Sequence, residues 1–198
     1  MELISAYILA GGGSSRFGSD KARALVNGRP LISHVARSIA PAVSDITVVA
    51  DRRNKYSDLG LRTITDRIAG MGPLGGLYTA LAEYDGEGWL VLVSCDWVGI
   101  QVAWIESLRA VRRKNAKAVV FRGQKWEPLL ALYHTSLRES VERNISKGEL
   151  ALWRLVEQVD HIWVPLPRNW QESLQVNTLV DFERLSSLNI CKGKSRLI

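Results

Sequence analysis

The sequence predicts an α/β fold of three layers, helices on both faces of a mainly parallel sheet that carries an antiparallel insert. Three observations lead there. The apolar run Ile4 to Leu9 stops at Gly11-Gly12-Gly13, the signature of a buried strand that enters a glycine loop. Strand-like and helix-like segments then alternate to about residue 115, the pattern of a parallel sheet. After that, Ala118 to Phe121 and Leu129 to Tyr133 read as two strands joined around the Arg122-Gly123 turn, which extends the sheet in the antiparallel sense.

Taken in order, Asn27-Gly28 is a turn dipeptide, and Arg29-Pro30 is expected to open a helix with proline in its first turn. Leu31, Val35, Ile39 and Val43 recur every four residues as the helix's apolar stripe, which Pro41 ends or kinks. Ile46 to Val49 is rich in β-branched residues and reads as a second strand; Arg62 to Thr65 is a third, closed by Asp66. Gly70 to Gly76 is a second glycine-rich loop that leads into a helix over Leu77 to Ala82. Gly88 ends the next turn. Trp89 to Val93 is the most continuous apolar strand, with Ser94-Cys95-Asp96 at its carboxyl end. Val102, Ile105, Leu108 and Val111 mark an amphipathic helix. Arg109, Arg112, Arg113 and Lys114 gather near its last turn, where positive charge complements the helix dipole. Leu137 to Ile145 and Leu150 to Val159 are expected to be helical, Ile162 to Val164 a short strand, and Leu179 to Leu188 a last helix.

The 198 residues suit one domain with a full core, expected over residues 1–190, followed by a basic tail at 191–198. The formal charge of +6 favours anionic ligands without choosing among nucleotides, phosphorylated cofactors and RNA. Cys95 and Cys191 lie far apart and lack C-x-x-C spacing, which argues against a disulfide framework or a zinc site and suits a reducing cytoplasm. The first strand follows Met1 almost at once, leaving no room for a signal peptide, and no apolar run reaches the ~20 residues of a membrane span.

The first glycine loop, Leu9-Ala10-Gly11-Gly12-Gly13-Ser14-Ser15-Arg16-Phe17-Gly18-Ser19-Asp20-Lys21, combines glycines, hydroxyls and two cations. Free backbone N–H groups in such a loop form an anion-binding concavity, and Arg16 and Lys21 add full charges, which suits a polyphosphate. It is not a dinucleotide G-x-G-x-x-G loop, because Arg16 stands at the sixth position. Nor is it a Walker A loop, because Ser19 follows Gly18 where a lysine is required. Ligands of open α/β sheets bind beyond the carboxyl ends of the strands, so the loop, Asp66 and Asp96 can converge on one crevice. By spacing alone, Asp96 is equally a helix N-cap or turn residue and a metal ligand.

The pattern L-A-G-G-x-S-x-R-x-G-x-x-K after an N-terminal strand resembles the nucleotidyltransferases that join an NTP to a phosphorylated acceptor. Its ending, Gly18-Ser19-Asp20-Lys21-Ala22, is most similar to the molybdenum cofactor guanylyltransferases. Gly72-Pro73-Leu74-Gly75-Gly76 resembles that family's G-P-L-x-G loop beside the nucleobase. Glu127-Pro128-Leu129 resembles its acceptor-side E-P-L segment, and Val176-Asn177-Thr178 its late V-N-T-P motif. The matches run in the family's order from about residue 4 to residue 185.

The resemblance implies a Rossmann-like fold of the nucleotide-diphospho-sugar transferase type and transfer of GMP from GTP to molybdopterin, with release of pyrophosphate. It implies that Asp96 holds Mg²⁺ and that Arg16 and Lys21 neutralise the leaving pyrophosphate. Backbone N–H groups from Ala10 to Gly13 are expected to face the nucleotide. Leu9, Asp66, Gly72, Pro73 and Leu74 are expected beside it, and Glu127 and Asn177 on the acceptor side. GTP and molybdopterin are the expected ligands, molybdenum cofactor insertion or chaperone proteins possible partners, nucleic acid and membrane not, and the location cytoplasmic.

Three positions depart from the pattern: Trp97-Val98-Gly99 follows Asp96 where a small apolar residue and a proline are usual, Val49 ends strand two in place of an Asn, and Leu179 replaces the late proline. Val49 and Trp97 bear on base choice and turnover. They leave open a cytidylyltransferase, a transferase for another phosphorylated acceptor, or a non-catalytic nucleotide-binding protein. An RNA-binding module is suggested by charge alone and lacks clustered aromatic-basic motifs.

Overall fold

The structure, a computed structural model, describes residues 4–11, 20–172, 174–176 and 181. Strand β1 (Ile4–Leu9) is followed by a tiny hairpin, β2 (Leu25–Val26) and β3 (Arg29–Pro30). Helix α1 (Leu31–Ile39), β4 (Val43–Ala50), β5 (Arg62–Thr65), α2 (Gly72–Glu83), β6 (Trp89–Ser94), β7 (Trp97–Val98) and α3 (Val102–Ala110) follow. Then come β8 (Ala118–Arg122), β9 (Trp126–His134), α4 (Arg138–Ser146), α5 (Leu152–Gln158), β10 (His161–Pro165) and β11 (Leu174–Gln175).

Seven strands form one sheet in the order β10-β8-β9-β6-β1-β4-β5. All its neighbours pair in parallel except β9, which runs against both β6 and β8. The expected antiparallel insert is thus the β8–β9 hairpin, and it places β9 rather than β8 against β6. Alternation along the strands divides the core between the two faces. Ala6 and Ile8 of β1, with Val91 and Val93 of β6, pack with Ile32, Val35 and Ile39 of α1 and Ile105 and Leu108 of α3. Tyr7 and Leu9, with Leu90 and Leu92, pack with Leu77 and Leu81 of α2, Val141 of α4 and Leu155 of α5. Each fully buried Leu or Ile contributes about 1.5–3 kcal/mol, which sets the register of the central strands β1 and β6.

Four local expectations change. Val43 opens β4 and does not extend the α1 stripe; the helix stops at Ile39, and Pro41 sits in a 3₁₀ turn, Ala40–Ala42. Arg29-Pro30 is a β-strand before the helix; Asn27 and Gly28 both have positive φ, 48° and 74°, which is the hairpin turn that pairs β3 with β2. Helix α2 begins at Gly72 inside the second glycine loop, because Pro73 in a first turn needs no N–H partner. Arg109 leaves the basic cluster: it is buried and its Nη1 donates to the Ala42 carbonyl at 3.4 Å. Arg112 does act on the helix end, donating from Nε to the Arg109 carbonyl at 3.1 Å. Of the expected last helix, Asp181 alone lies within the described residues, and the tail at 191–198 lies outside them.

Candidate active site

The chain order reverses on the two sides of β1: β4 lies on one edge and β6 on the other. A crevice opens beyond the carboxyl ends of strands at such a point. Hydrogen bonds continue the sheet one residue further here. Ala10 N–H donates to Val49 O at 2.9 Å, Cys95 N–H to Leu9 O at 3.0 Å, and Asp66 N–H to Ala50 O at 2.7 Å. These bonds hold a small pocket lined by Leu9, Gly11, Val49, Asp66, Gly72, Pro73, Gly76, Ser94 and Leu129. The Ala10 N–H thus belongs to the sheet ladder.

Helix α2 forms one wall by coming unusually close. A Cβ on Gly76 would stand 2.7 Å from Leu9 Cδ2, so the glycine lets the helix lie against that strand end without displacing the Leu9 side chain. Asp66 is fixed on this wall. Its Oδ1 accepts from the buried Thr79 hydroxyl at 2.7 Å and from Ile68 N–H at 3.3 Å. Thr79 in turn accepts from Arg67 N–H at 2.9 Å. Pro73 and Gly72 line the pocket, whereas Leu74 is fully buried in the core behind it and does not. The Val49 side chain presents a buried apolar surface with no hydrogen-bonding group.

The two sharpest candidates meet next to Ser94, one of the lining residues, without lining the pocket themselves. Lys21 Nζ donates to Asp96 Oδ2 at 2.9 Å, and both side chains stay partly exposed, at 17% and 18%. Asp96 Oδ1 accepts from the Ser94 hydroxyl at 2.5 Å. The carboxylate is therefore aimed from one side by its own strand and balanced from the other by the lysine. Burial, with the Asp96 charge beside it, pushes the Cys95 thiol up to about 12, so at neutral pH it is a neutral thiol and no nucleophile.

The remaining candidates divide. Gly12, Gly13, Arg16 and Asn177 lie outside the described residues. The segment leading to Asn177 is nevertheless tied to the site, since Val176 N–H donates to Asp96 O at 2.9 Å and β11 pairs with β7. Glu127 is not among the pocket's lining residues. It stands half-buried on β9, where the ladder to β8 is irregular and Leu129 reaches the pocket in its stead. Burial raises the Glu127 carboxyl, and nearby Lys125 only partly offsets this. Trp97 does not enter the site. It is buried, its ring meeting Trp170 edge-on at 4.8 Å, and Trp170 stacks on Trp104 at 5.0 Å. The departure after Asp96 thus fills an aromatic core cluster. Thr79 and Ser94 were not singled out from sequence; a lone hydroxyl has no spacing signature, and only the fold aims these two at carboxylates.

The donor set was compared with what a divalent cation needs. Among the described residues no group of three His, Cys, Asp or Glu side chains converges, so no all-protein cage exists there. Mg²⁺ is usually held by one or two carboxylates plus substrate phosphates and water. Asp96, partly exposed at a strand end, fits that demand when a polyphosphate supplies the other oxygens.

Comparison with known proteins shows the family. A family model described as the MobA-like NTP transferase domain matches residues 6–162. A Shewanella putrefaciens protein named molybdenum cofactor guanylyltransferase is 35% identical, covering 76% of this chain and 80% of that protein. A Thermococcus gammatolerans protein carrying the same name, qualified as "probable", is 33% identical, covering 90% of this chain and 96% of that one. Among solved structures, the molybdopterin-guanine dinucleotide biosynthesis protein A of Archaeoglobus fulgidus superposes with a TM-score of 0.78 at 22% identity, covering 95% of this chain and 98% of that one. At that identity the superposition speaks for the fold alone. The family match spans well over half of the sequence, and the chain belongs to the MobA-like NTP transferase domain family.

Proposed function

We propose that this protein transfers GMP from GTP to the terminal phosphate of molybdopterin and releases pyrophosphate. The observation that carries the reading is the Lys21–Asp96 pair, 2.9 Å apart, which joins through the Ser94 hydroxyl to a strand-end crevice whose lining includes the Asp66 carboxylate. Relatives named as probable molybdenum cofactor guanylyltransferases over nearly the same length support it.

An oxygen of the acceptor phosphate forms a bond to the α-phosphorus of GTP. The bond from that phosphorus to the bridging oxygen breaks, and pyrophosphate leaves with the electron pair. The nucleophile is already anionic, so no strong general base is needed, and catalysis rests on positioning and charge neutralisation. Lys21 stands where it can exchange its contact with Asp96 for a phosphate oxygen of the leaving group. Arg16 adds a second cation from the glycine loop. Asp66, with Oδ1 held by Thr79, is a fixed acceptor for the adjacent N1–H and N2–H₂ donors of guanine. Asp96 would hold Mg²⁺ together with phosphate oxygens, and that cation supplies Lewis-acid charge neutralisation when bound. Glu127 and Asn177 are proposed on the acceptor side.

Lys21→Ala and Asp96→Ala are each expected to lower turnover by roughly 10²-fold or more, the scale of losing one preorganised charge contact, with little change in melting temperature. Steady-state pyrophosphate release and thermal unfolding of both variants test this. Near-normal turnover in either would remove that residue from the mechanism.

A further inference from the structure

A dense polar network among the described residues surrounds Asp20, outside the pocket's lining. This carboxylate receives three donors. Ala22 N–H donates to Oδ1 at 3.1 Å, Tyr56 Oη–H to Oδ2 at 3.0 Å, and Lys55 Nζ stands 3.2 Å from Oδ2. The first contact caps the 3₁₀ turn Lys21–Arg23 and so fixes the backbone from which Lys21 projects. Ala22, next to Lys21, is wedged into the core at 2% exposure.

The other two donors come from the connection between β4 and β5, which is itself rigidly mounted. Tyr56 is fully buried; its N–H donates to the Thr63 hydroxyl at 3.3 Å, and its carbonyl accepts from Leu59 and Leu61 at 3.0 and 3.2 Å. Lys55 also contacts Asp51 Oδ1 at 2.8 Å. Arg23 closes the clamp with a two-pronged contact to Asp58, 2.8 Å on each side, and a bond to the Lys55 carbonyl at 2.6 Å. Burial first, then the Asp20 charge, raises the Tyr56 phenol far above its ordinary range, so it remains a protonated donor. Burial alone would lower the Lys55 ammonium, but the Asp51 and Asp20 carboxylates outweigh it and hold the cation charged. A buried hydroxyl aimed at a carboxylate one residue from Lys21 is more than core filling needs, because a phenylalanine would pack there equally well.

We infer that Tyr56, acting through Asp20, is a positioning residue for transfer: the β4–β5 connection holds the exit of the glycine loop so that Lys21 is presented toward Asp96 and the leaving group. The inference rests on the proposed role of Lys21 in nucleotidyl transfer. Tyr56 touches neither nucleotide nor acceptor, so its loss should lower kcat while leaving KM for GTP nearly unchanged.

The test compares the full-length protein with Tyr56→Phe, Asp20→Asn and Asp20→Ala. Three quantities are read: kcat and KM for GTP, melting temperature, and the ¹³C NMR signal of Lys21 after reductive dimethylation, assigned as the signal missing from Lys21→Arg. The expected result is a kcat at least about tenfold lower in Tyr56→Phe, the scale of a small misplacement of a catalytic group. KM should stay within about twofold, melting should shift little, and the Lys21 signal should move while those of distant lysines do not. Asp20→Asn keeps an acceptor oxygen and should be milder than Asp20→Ala. An unmoved Lys21 signal, or a Tyr56→Phe kcat within about twofold of the unaltered protein, would overturn the inference. Should the unaltered protein transfer no nucleotide, the functional reading would fail, and the Lys21 signal would still decide the positioning claim.

Discussion

Lys21 and Asp96 are 75 positions apart in the chain and 2.9 Å apart in space. Each was legible in the sequence because it closes a recognisable stretch, a glycine loop or an apolar strand. Their direct contact was not, since nothing local encodes which strand ends become neighbours. The partners of Asp66 and Asp96 were equally hidden, because Thr79 and Ser94 look like any helical or strand hydroxyl until the fold turns them inward. Glu127 offers a prediction of a different kind. Burial raises its carboxyl, so the folded protein holds that proton more tightly than the unfolded chain does. The ionised form therefore costs stability, fully so above the raised value, and the cost disappears below the ordinary carboxylate range near 4.3. Glu127→Gln should accordingly raise the melting temperature at pH 8 and leave it nearly unchanged at pH 3.5, which parallel thermal scans at the two pH values would check. An equal shift at both would contradict burial as the cause.

At the level of elements, strands with continuous apolar runs were the plainest to read. β1 and β6 have the bounds their composition predicts to within a residue, because full burial on both faces leaves little choice. Boundaries set by special backbone were less legible. Helix α2 starts at Gly72 rather than after Gly76, and the reason is packing. Gly75 and Gly76 lie inside the helix where it comes closest to its neighbours. A Cβ on Gly75 would lie 2.9 Å from Met71 Cβ and 3.0 Å from the Ile68 carbonyl, neither of which can swing aside. Ordinarily Gly→Ala in a helix interior gains about 1 kcal/mol. Overpacking costs about 1–3 kcal/mol, so at this position it should win. Gly75→Ala is expected to lose roughly 1 kcal/mol in a urea titration; a net gain would mean the helix entrance has room to relax. The β7–β11 pair had no sequence signal at all, being two residues long on each side. It matters because it carries the chain leading to Asn177 to the Asp96 backbone.

For the whole molecule, one reversal of strand order beside β1 accounts for most of the geometry. It places Gly11, Asp66 and Ser94 around a common crevice, and Ser94 binds Asp96, although these residues come from three separate strand–helix units. Alternating strands and helices made that architecture predictable, while the order of β8 and β9 beside β6 was set by the hairpin and had to be seen. Among the described residues no helix is long and apolar enough to cross a membrane. The central claim is that this crevice takes GTP and passes its nucleotidyl group to a pterin phosphate. Its most direct test is transfer from α-³²P-labelled GTP or CTP to molybdopterin in the presence of Mg²⁺, with the labelled product resolved chromatographically. The account predicts a labelled guanine dinucleotide and equimolar pyrophosphate from GTP, with CTP at least about tenfold slower because Asp66 finds two adjacent donors on guanine alone. Equal or faster transfer from CTP, or binding of GTP without any release of pyrophosphate, would contradict it.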